Sequence, residues 1–232
     1  MSQVFNLYKT LASAFGPSGR EAGVRDVLTK LAKQYADEVW TDALGNLICH
    51  KKSSGSESSR KILLAAHMDS LGIVITFIDD NGFLRFAPVG GLFRGDLINI
   101  QVRFANGVRG VISYEEKTAF KDLQMQHLFV DIGASSREEA EQMVQVGDFA
   151  VFDAPMFEQN GVICGPYLDN RIGCVTLLLT MAKMPLSVPD DLYFVFTAQE
   201  EVGLRGAQTA AFALEPDLAI AVDVTDTGDL PE

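Results

Sequence analysis

Two adjacent carboxylates, Glu200 and Glu201, stand where the apolar run LYFVFT ends in TAQEEVGLRGA. Neighbouring side chains diverge in an extended or turning backbone, so one of the pair can bind a metal while the other faces a substrate as proton acceptor. Like charges this close also raise one pKa unless a cation neutralises them. The run ILLAAHMDS sets His67 and Asp69 two residues apart, on one side of a strand at its C-terminal end. That spacing suits a histidine binding metal through one ring nitrogen, with a carboxylate behind it to fix orientation and charge. In PYLDNRIG, Asp169 either caps the helix that follows or faces the same sheet edge as His67, where its two oxygens could bridge two cations. LAIAVDV repeats the pattern and delivers Asp223 at a third strand end. Each feature alone reads as a solvated turn after a strand. Three strand ends carrying acids or a histidine together point to a hard N/O ligand set, which suits zinc, cobalt or manganese better than a thiolate site would.

The elements that must position these residues alternate between helix and strand. Val4, Leu7, Tyr8, Leu11 and Phe15 recur at helical spacing up to Gly16-Pro17. Ser18 and Glu21 have the spacing of a capping box, opening a second helix with Val24, Val27, Leu28, Leu31 and Tyr35 on its apolar stripe. EVW, the turn DALGN and LICH read as a strand hairpin, and KKSSGSESSRK as a polar, mobile loop. ILLAAH is short and continuously apolar, as in a strand covered on both faces. Between Leu71 and Val162 the texture changes to short strands separated by turn residues: GIVITFID, FLRFAPV, DLINIQVRF, VRGVIS and DFAVFDA. One helix, SREEAEQMV, interrupts them behind a capping box of Ser136 and Glu139. After Gly165-Pro166 the α/β alternation returns, with a helix over 170–183, the strand LYFVFTA, a helix in GLRGAQTAAFAL and the strand LAIAVDV. The expected organisation is therefore a first α/β part over 1–70, a β-rich insertion over 71–162 and a second α/β part over 163–232.

Composition limits the partners. With 232 residues and 47% hydrophobic content the chain can bury a substantial core. Its 31 acids against 19 bases give a formal charge of −12, which disfavours nucleic acid because phosphates would be repelled. No run reaches the roughly 18 to 20 apolar residues of a membrane span. The start, MSQVFNLYKT, has neither a basic nor a continuous apolar segment of the kind that directs secretion. Cys49, Cys164 and Cys174 are odd in number and without paired spacing, which favours inert thiols in a reducing cytoplasm.

With these residues in view, the chain resembles the cytosolic co-catalytic metallo-aminopeptidases that form tetrahedral dodecamers, known as glutamyl or deblocking aminopeptidases and sometimes as endoglucanases. GPSGRE, DALGNLI, LLAAHMDSLGIVI, FAPVGG, VDIGASSREEAE, VGDFAVF, YLDNRIG, TAQEEVGLRGA and AVDVTDTGD carry the resemblance in order along nearly the whole chain. It implies an α/β fold: a zinc-aminopeptidase-like αβα sandwich, incomplete at its C-terminus, with an inserted small β-barrel-like domain used in subunit contacts. It also implies two divalent metal ions, zinc or cobalt first and manganese as a further option. His67 and Asp223 would hold one, Glu201 the other, and Asp169 would bridge both. Glu200 would be the general base and Asp69 would stand behind His67. The implied reaction is removal of N-terminal residues from peptide substrates by activated water, in a homo-oligomer.

The sequence departs from the family's pattern in two places. Family members run on for roughly a hundred residues, containing the last histidine ligand of the second metal, whereas the sequence ends at Glu232, and neither His50 nor His127 matches that ligand's motif. The stretch VISYEEKTAFKDLQMQ replaces a Pro/His-containing stretch. The reading is therefore of an aminopeptidase or a fragment of one, with two alternatives: a catalytically impaired oligomerising relative, or another two-metal amidohydrolase acting on a different acyl group.

Overall fold

The computed structural model describes residues 1–55 and 59–228. Ser70–Met156 form one compact unit, and Met1–Asp69 together with the chain from Phe157 onward form another.

Helix α1 (Gln3–Ser13) begins at Ser2, whose hydroxyl accepts the Phe5 amide N–H at 3.1 Å, a cap worth about 1 kcal/mol. It stops at Ser13, short of the Gly16-Pro17 pair. Helix α2 (Ala22–Ala32) buries Val24, Leu28 and Ala32. Its expected capping box is absent: Glu21 is the N-cap residue and makes no side-chain cap. Ser18 and Glu21 are both buried and turn to other partners described below. Strands β1 (Glu38–Thr41) and β2 (Leu47–Lys51) form the hairpin, and β3 (Lys61–His67) is the apolar strand read from ILLAAH. Of the Ser-rich loop between β2 and β3, Ser56, Glu57 and Ser58 lie outside the described residues. Its flanks are held: the Ser54 amide donates to Val188 O at 2.8 Å and the Ser59 hydroxyl to Asp191 at 2.9 Å.

The inserted unit is a closed barrel. Strands β4 (Gly72–Ile78), β5 (Leu84–Val89), β6 (Gln101–Phe104), β7 (Arg109–Tyr114), β8 (Leu128–Asp131) and β9 (Phe149–Phe152) close in the order β4-β5-β8-β7-β6-β9, with helix α3 (Arg137–Met143) before β9. Ile73, Phe86, Phe104, Ile112 and Val130 fill the barrel, and Ala140 and Val144 pack against them. LFVD, not read as a strand from the sequence, is β8. DLINIQVRF does not form one strand: Arg94–Leu97 coil into a short 3-10 turn and Asn99 has φ 64°, leaving β6 only its last four residues. Ser136 caps α3 by accepting the Glu139 amide, while the Glu139 carboxylate accepts from Ser135 rather than from Ser136.

Strands β10 (Phe157–Gln159) and β11 (Val162–Cys164) pair only with each other. The hairpin groups with the α/β unit, so the barrel unit ends at Met156, whereas the sequence reading runs the insertion to Val162. Helix α4 (Leu168–Lys183), strand β12 (Asp191–Thr197), helix α5 (Arg205–Leu214) and strand β13 (Leu218–Ala221) complete the first unit.

Its sheet runs β1-β2-β12-β3-β13, with β12 and β13 parallel to the central β3 on either side. Helix α5 covers the face bearing Ile48, Leu63 and Val195. The alternate positions Leu47, Cys49, Phe194 and Phe196, buried on the opposite face, lie under the α2 and α4 side, and α1 packs on α4. This is an αβα sandwich interrupted by a barrel. The chain leaves β3 through α4 to reach β12, then crosses through α5 to β13 on the other side. The strand order therefore reverses at β3, and open α/β sheets place their ligands outside the carboxyl ends at such a point.

Candidate metal centre

Parallel pairing brings three carboxyl ends to one edge. Thr197 lies in register with His67, and Ala221 with Ala65, so Glu200, Glu201 and Asp223 follow from strands that flank His67 directly. His67 is the centre of the group. Its Nε2 lies 2.8 Å from Asp169 Oδ1, 3.8 Å from Glu200 Oε2 and 3.9 Å from Asp223 Oδ1. Its Nδ1 faces Asp69, 3.2 Å from the main-chain oxygen and 3.5 Å from Oδ1. One ring nitrogen is thus oriented by a buried carboxylate, and the other points at the remaining acids, which is how metal-binding histidines are commonly held. Ligand atoms of His67, Asp169 and Glu201 all lie within 4.8 Å of one another.

Charge in this cluster is unbalanced. Burial opposes the imidazolium form of His67, but the hydrogen bond and charge of Asp69, the charge of Glu200 and the hydrogen bond of Asp169 prevail and push its pKa up to about 9. Glu201 is pushed up to about 7, by burial first, with His67 opposing and the charges of Asp169, Asp69 and Glu200 adding to the rise. Glu200 is raised as well, by burial above all. Asp69 moves the other way: burial works against its charge, but His67, Ser18 and the Glu200 amide hold it low. Crowded carboxylates and a hard N/O donor set fit a divalent cation, which would relieve the repulsion that raises Glu200 and Glu201.

The helix after β11 places Asp169 in a way that capping does not describe. Tyr167, in the left-handed region at φ 61°, is the residue before α4, and Asp169 and Asn170 depart from helical dihedrals, joined by a cis peptide bond. Asp169 sits in that non-helical first turn, and its side chain is 59% exposed. Asn170 is fully buried; its amide group donates to Val222 O at 2.8 Å and its oxygen accepts the Gly173 amide at 3.1 Å. The residue after Asp169 thus ties down the backbone one position before Asp223. A Cβ on Gly173 would collide with that asparagine, so glycine is what lets it approach.

The strand end after β12 is the most heavily supported backbone in the site. Gln199 has φ 56°, a conformation costing an L-residue roughly 1–2 kcal/mol. Four successive amides there are paired outside secondary structure. Ala198 donates to Asn46 Oδ1 at 2.9 Å, Gln199 to Glu21 Oε1 at 3.2 Å, Glu200 to Asp69 Oδ1 at 3.0 Å and Glu201 to Asp69 Oδ2 at 3.2 Å. The Ser18 hydroxyl donates to the same Asp69 Oδ2.

All six residues singled out in the sequence gather here. Ser18, Glu21, Asn46 and Asn170 were not among them. Asn46 read as part of a turn and Ser18 with Glu21 as a helix cap; GPSGRE and DALGNLI, among the stretches that carry the family resemblance, were the signal available. His50 stays apart: its ring bonds Asp191 at 2.7 Å, at the opposite end of β12 from the acids.

An αβα unit that collects a histidine and several carboxylates at the reversal of its parallel strands, its sequence interrupted after Asp69 by a closed barrel, defines an α/β protein with a candidate metal centre. The pattern of the M42 glutamyl aminopeptidase family matches residues 45–232, and the chain belongs to that family. A provisionally named aminopeptidase of Acetivibrio thermocellus is 48% identical over 99% of this chain and 68% of its own length. An aminopeptidase from the archaeon Desulfurococcus kamchatkensis has the same fold at a TM-score of 0.93 and 42% identity, covering 99% of this chain and 65% of that one. The TET1 peptidase of Pyrococcus horikoshii, described as able to assemble into a tetrahedron or a large octahedral shell, matches at a TM-score of 0.87 and 33% identity, over 99% of this chain and 72% of its own. The chain spans about two-thirds of the length of these relatives.

Proposed function

We propose that the protein is a metal-dependent aminopeptidase that removes N-terminal residues from peptides, and that His67, Asp169, Glu201 and Asp223 hold two divalent cations, zinc or cobalt first and manganese as a further option. The observation that carries this reading is the convergence of these four on one sheet edge beside a fifth acid, Glu200, whose carboxylate lies within 4 Å of the His67 ring. Bound there, such cations would polarise the scissile carbonyl and lower the pKa of the attacking water.

The chain's own residues supply the rest. Asp69 orients His67 through Nδ1 and leaves Nε2 to the metal. Glu200 diverges from Glu201, so it can take a proton from the attacking water and return it to the leaving amine at the same carboxylate. Charge favours an N-terminal substrate. Asp69, Asp169, Glu200, Glu201 and Asp223 outweigh two dications by about one negative charge, which an α-ammonium group can occupy.

Support for a homo-oligomer comes from the assembling TET1 relative. No helix among the described residues is long and apolar enough to cross a membrane, and the three cysteines are free; we place the protein in the cytoplasm on the strength of its thiols and acidic charge. The test is turnover of amino-acid p-nitroanilides beside their N-acylated analogues, with zinc or cobalt and the full chain. Release from the free-amine substrates alone supports the reading. Release from the acylated ones, or none with metal bound, overturns it.

A further inference from the structure

The loop between α1 and α2, residues 14–21, belongs structurally to the candidate site. Arg171, fully buried two residues after Asp169, donates to Leu11 O at 2.8 Å and Gly16 O at 3.3 Å, fastening the start of the loop to α4. A Cβ on Gly16 would meet Val24 Cγ1 at 2.6 Å and the Arg171 guanidinium at 3.0 Å, so only glycine passes there without displacement. From that anchor the chain turns inward. Ser18 and Glu21 are 4% and 5% exposed, and each spends its side chain on the support of the acidic pair. Ser18 donates to Asp69 Oδ2, the oxygen that also receives the Glu201 amide. Glu21 Oε1 accepts two amides, Gly19 at 2.6 Å within its own loop and Gln199 at 3.2 Å, the residue just before the pair.

These contacts have a geometric consequence. Gln199 holds a left-handed dihedral that a strand-end residue other than glycine adopts only when its surroundings impose it. Its amide points at Glu21, and the next two amides point at Asp69; rotating Gln199 back to the extended region would break these bonds together and redirect both carboxylates.

We propose that Glu21 and Ser18 are positioning residues for the reaction: Glu21 fixes the Gln199 backbone, Ser18 fixes the Asp69 carboxylate that takes the next two amides, and together they separate the directions of Glu200 and Glu201. The inference rests on the aminopeptidase reading above. Glu21 acts as a hydrogen-bond acceptor in this role, which sets the rule for its replacement. Glutamine keeps an accepting oxygen at the same reach, and alanine keeps none.

The experiment compares Glu21→Ala, Glu21→Gln and Ser18→Ala in the full chain, each loaded with cobalt. The readouts are cobalt stoichiometry and visible absorption spectrum, and kcat and KM separately. The expected result for Glu21→Ala is an altered spectrum, cobalt binding weakened at least about tenfold and kcat down by a similar factor, with KM within about twofold. Glu21→Gln restores the spectrum and most of kcat, and Ser18→Ala shifts both in the direction of Glu21→Ala by a smaller factor. If Glu21→Ala fails to fold, Glu21→Gln and Ser18→Ala carry the comparison: a native-like glutamine variant beside a spectrally altered serine variant supports the proposal. An unaltered spectrum and kcat in Glu21→Ala and Ser18→Ala overturns it, and so does a Glu21→Gln variant as impaired as Glu21→Ala, since charge rather than acceptance would then be at work. Should the unsubstituted protein bind cobalt and turn over while the variants behave like it, only the positioning role falls. An unsubstituted protein that binds no cobalt brings down the metal reading itself and this inference with it.

Discussion

Asp69 Oδ1 accepts the Glu200 amide at 3.0 Å and lies 3.5 Å from His67 Nδ1, so the carboxylate behind the histidine also holds the backbone of the residue proposed as base. Its other oxygen takes the Glu201 amide. Asp69→Asn removes the charge and turns an NH2 group toward either an N–H donor or the Ser18 hydroxyl. Cobalt affinity is expected to fall by about 10- to 100-fold. A cobalt titration followed by visible absorbance measures it, and an unchanged affinity would remove Asp69 from the site.

Glu200→Gln separates proton transfer from metal binding. The amide keeps the size of the side chain and cannot take a proton, so turnover is expected to fall by roughly 10²–10⁴ while metal content stays near that of the unsubstituted protein. Metal analysis beside p-nitroanilide kinetics checks both. A parallel loss of metal would make Glu200 a ligand.

Much of this arrangement was legible in the sequence because strand ends announce themselves: LLAAH, YFVFT and LAIAV are apolar runs that stop at chemically able residues, and parallel neighbours deliver their ends to one edge. The strand-rich texture of the insertion was legible from its turn residues, except at Leu128–Asp131, which is four residues long and follows two short 3-10 turns, and at DLINIQVRF, whose first half coils instead of extending. What stayed hidden depended on partners far along the chain. Ser-x-x-Glu at 18–21 has the spacing of a helix cap, and its real partners, Asp69 and Gln199, are 51 and 178 residues away. Asp169 before a helix looked able to cap it, and only the non-helical backbone of Asp169 and Asn170 directs it elsewhere.

The pKa values of the cluster imply a pH dependence in protein stripped of metal. His67 is raised from 6.5 to about 9, so its contribution to stability is fully present below 6.5 and is lost as pH rises through about 9. Glu201 is raised from 4.5 to about 7 and acts in the same direction, its contribution present below 4.5 and lost as pH rises through about 7. Asp69, lowered from 3.8, loses its contribution only in more acidic solution. After chelation, Tm is expected to fall as pH is raised through the range of about 5 to 9, whereas zinc, whose ligands must be deprotonated, should stabilise more as pH rises. Calorimetry with and without zinc tests this, and a metal-stripped Tm that climbs over that range would contradict it.

Asn46 supports the same strand end from the other side. Its oxygen accepts the Ala198 amide at 2.9 Å, and its NH2 group donates to Gly206 O at 2.9 Å and Asp42 Oδ2 at 2.7 Å. Gly206 belongs to this contact, because a Cβ there would collide with Asn46 and with Ala198 O. Asn46→Ala leaves a buried N–H and a buried carbonyl without these partners, a loss of about 1–3 kcal/mol. Denaturant unfolding should show that loss, and Gly206→Ala should reproduce it by displacing the asparagine instead of deleting it. The double variant should then cost less than the sum of the two, since both act through one hydrogen-bonded contact. Additive losses would mean that the clash of the new Cβ with Ala198 O, which does not pass through the asparagine, sets the cost of Gly206→Ala.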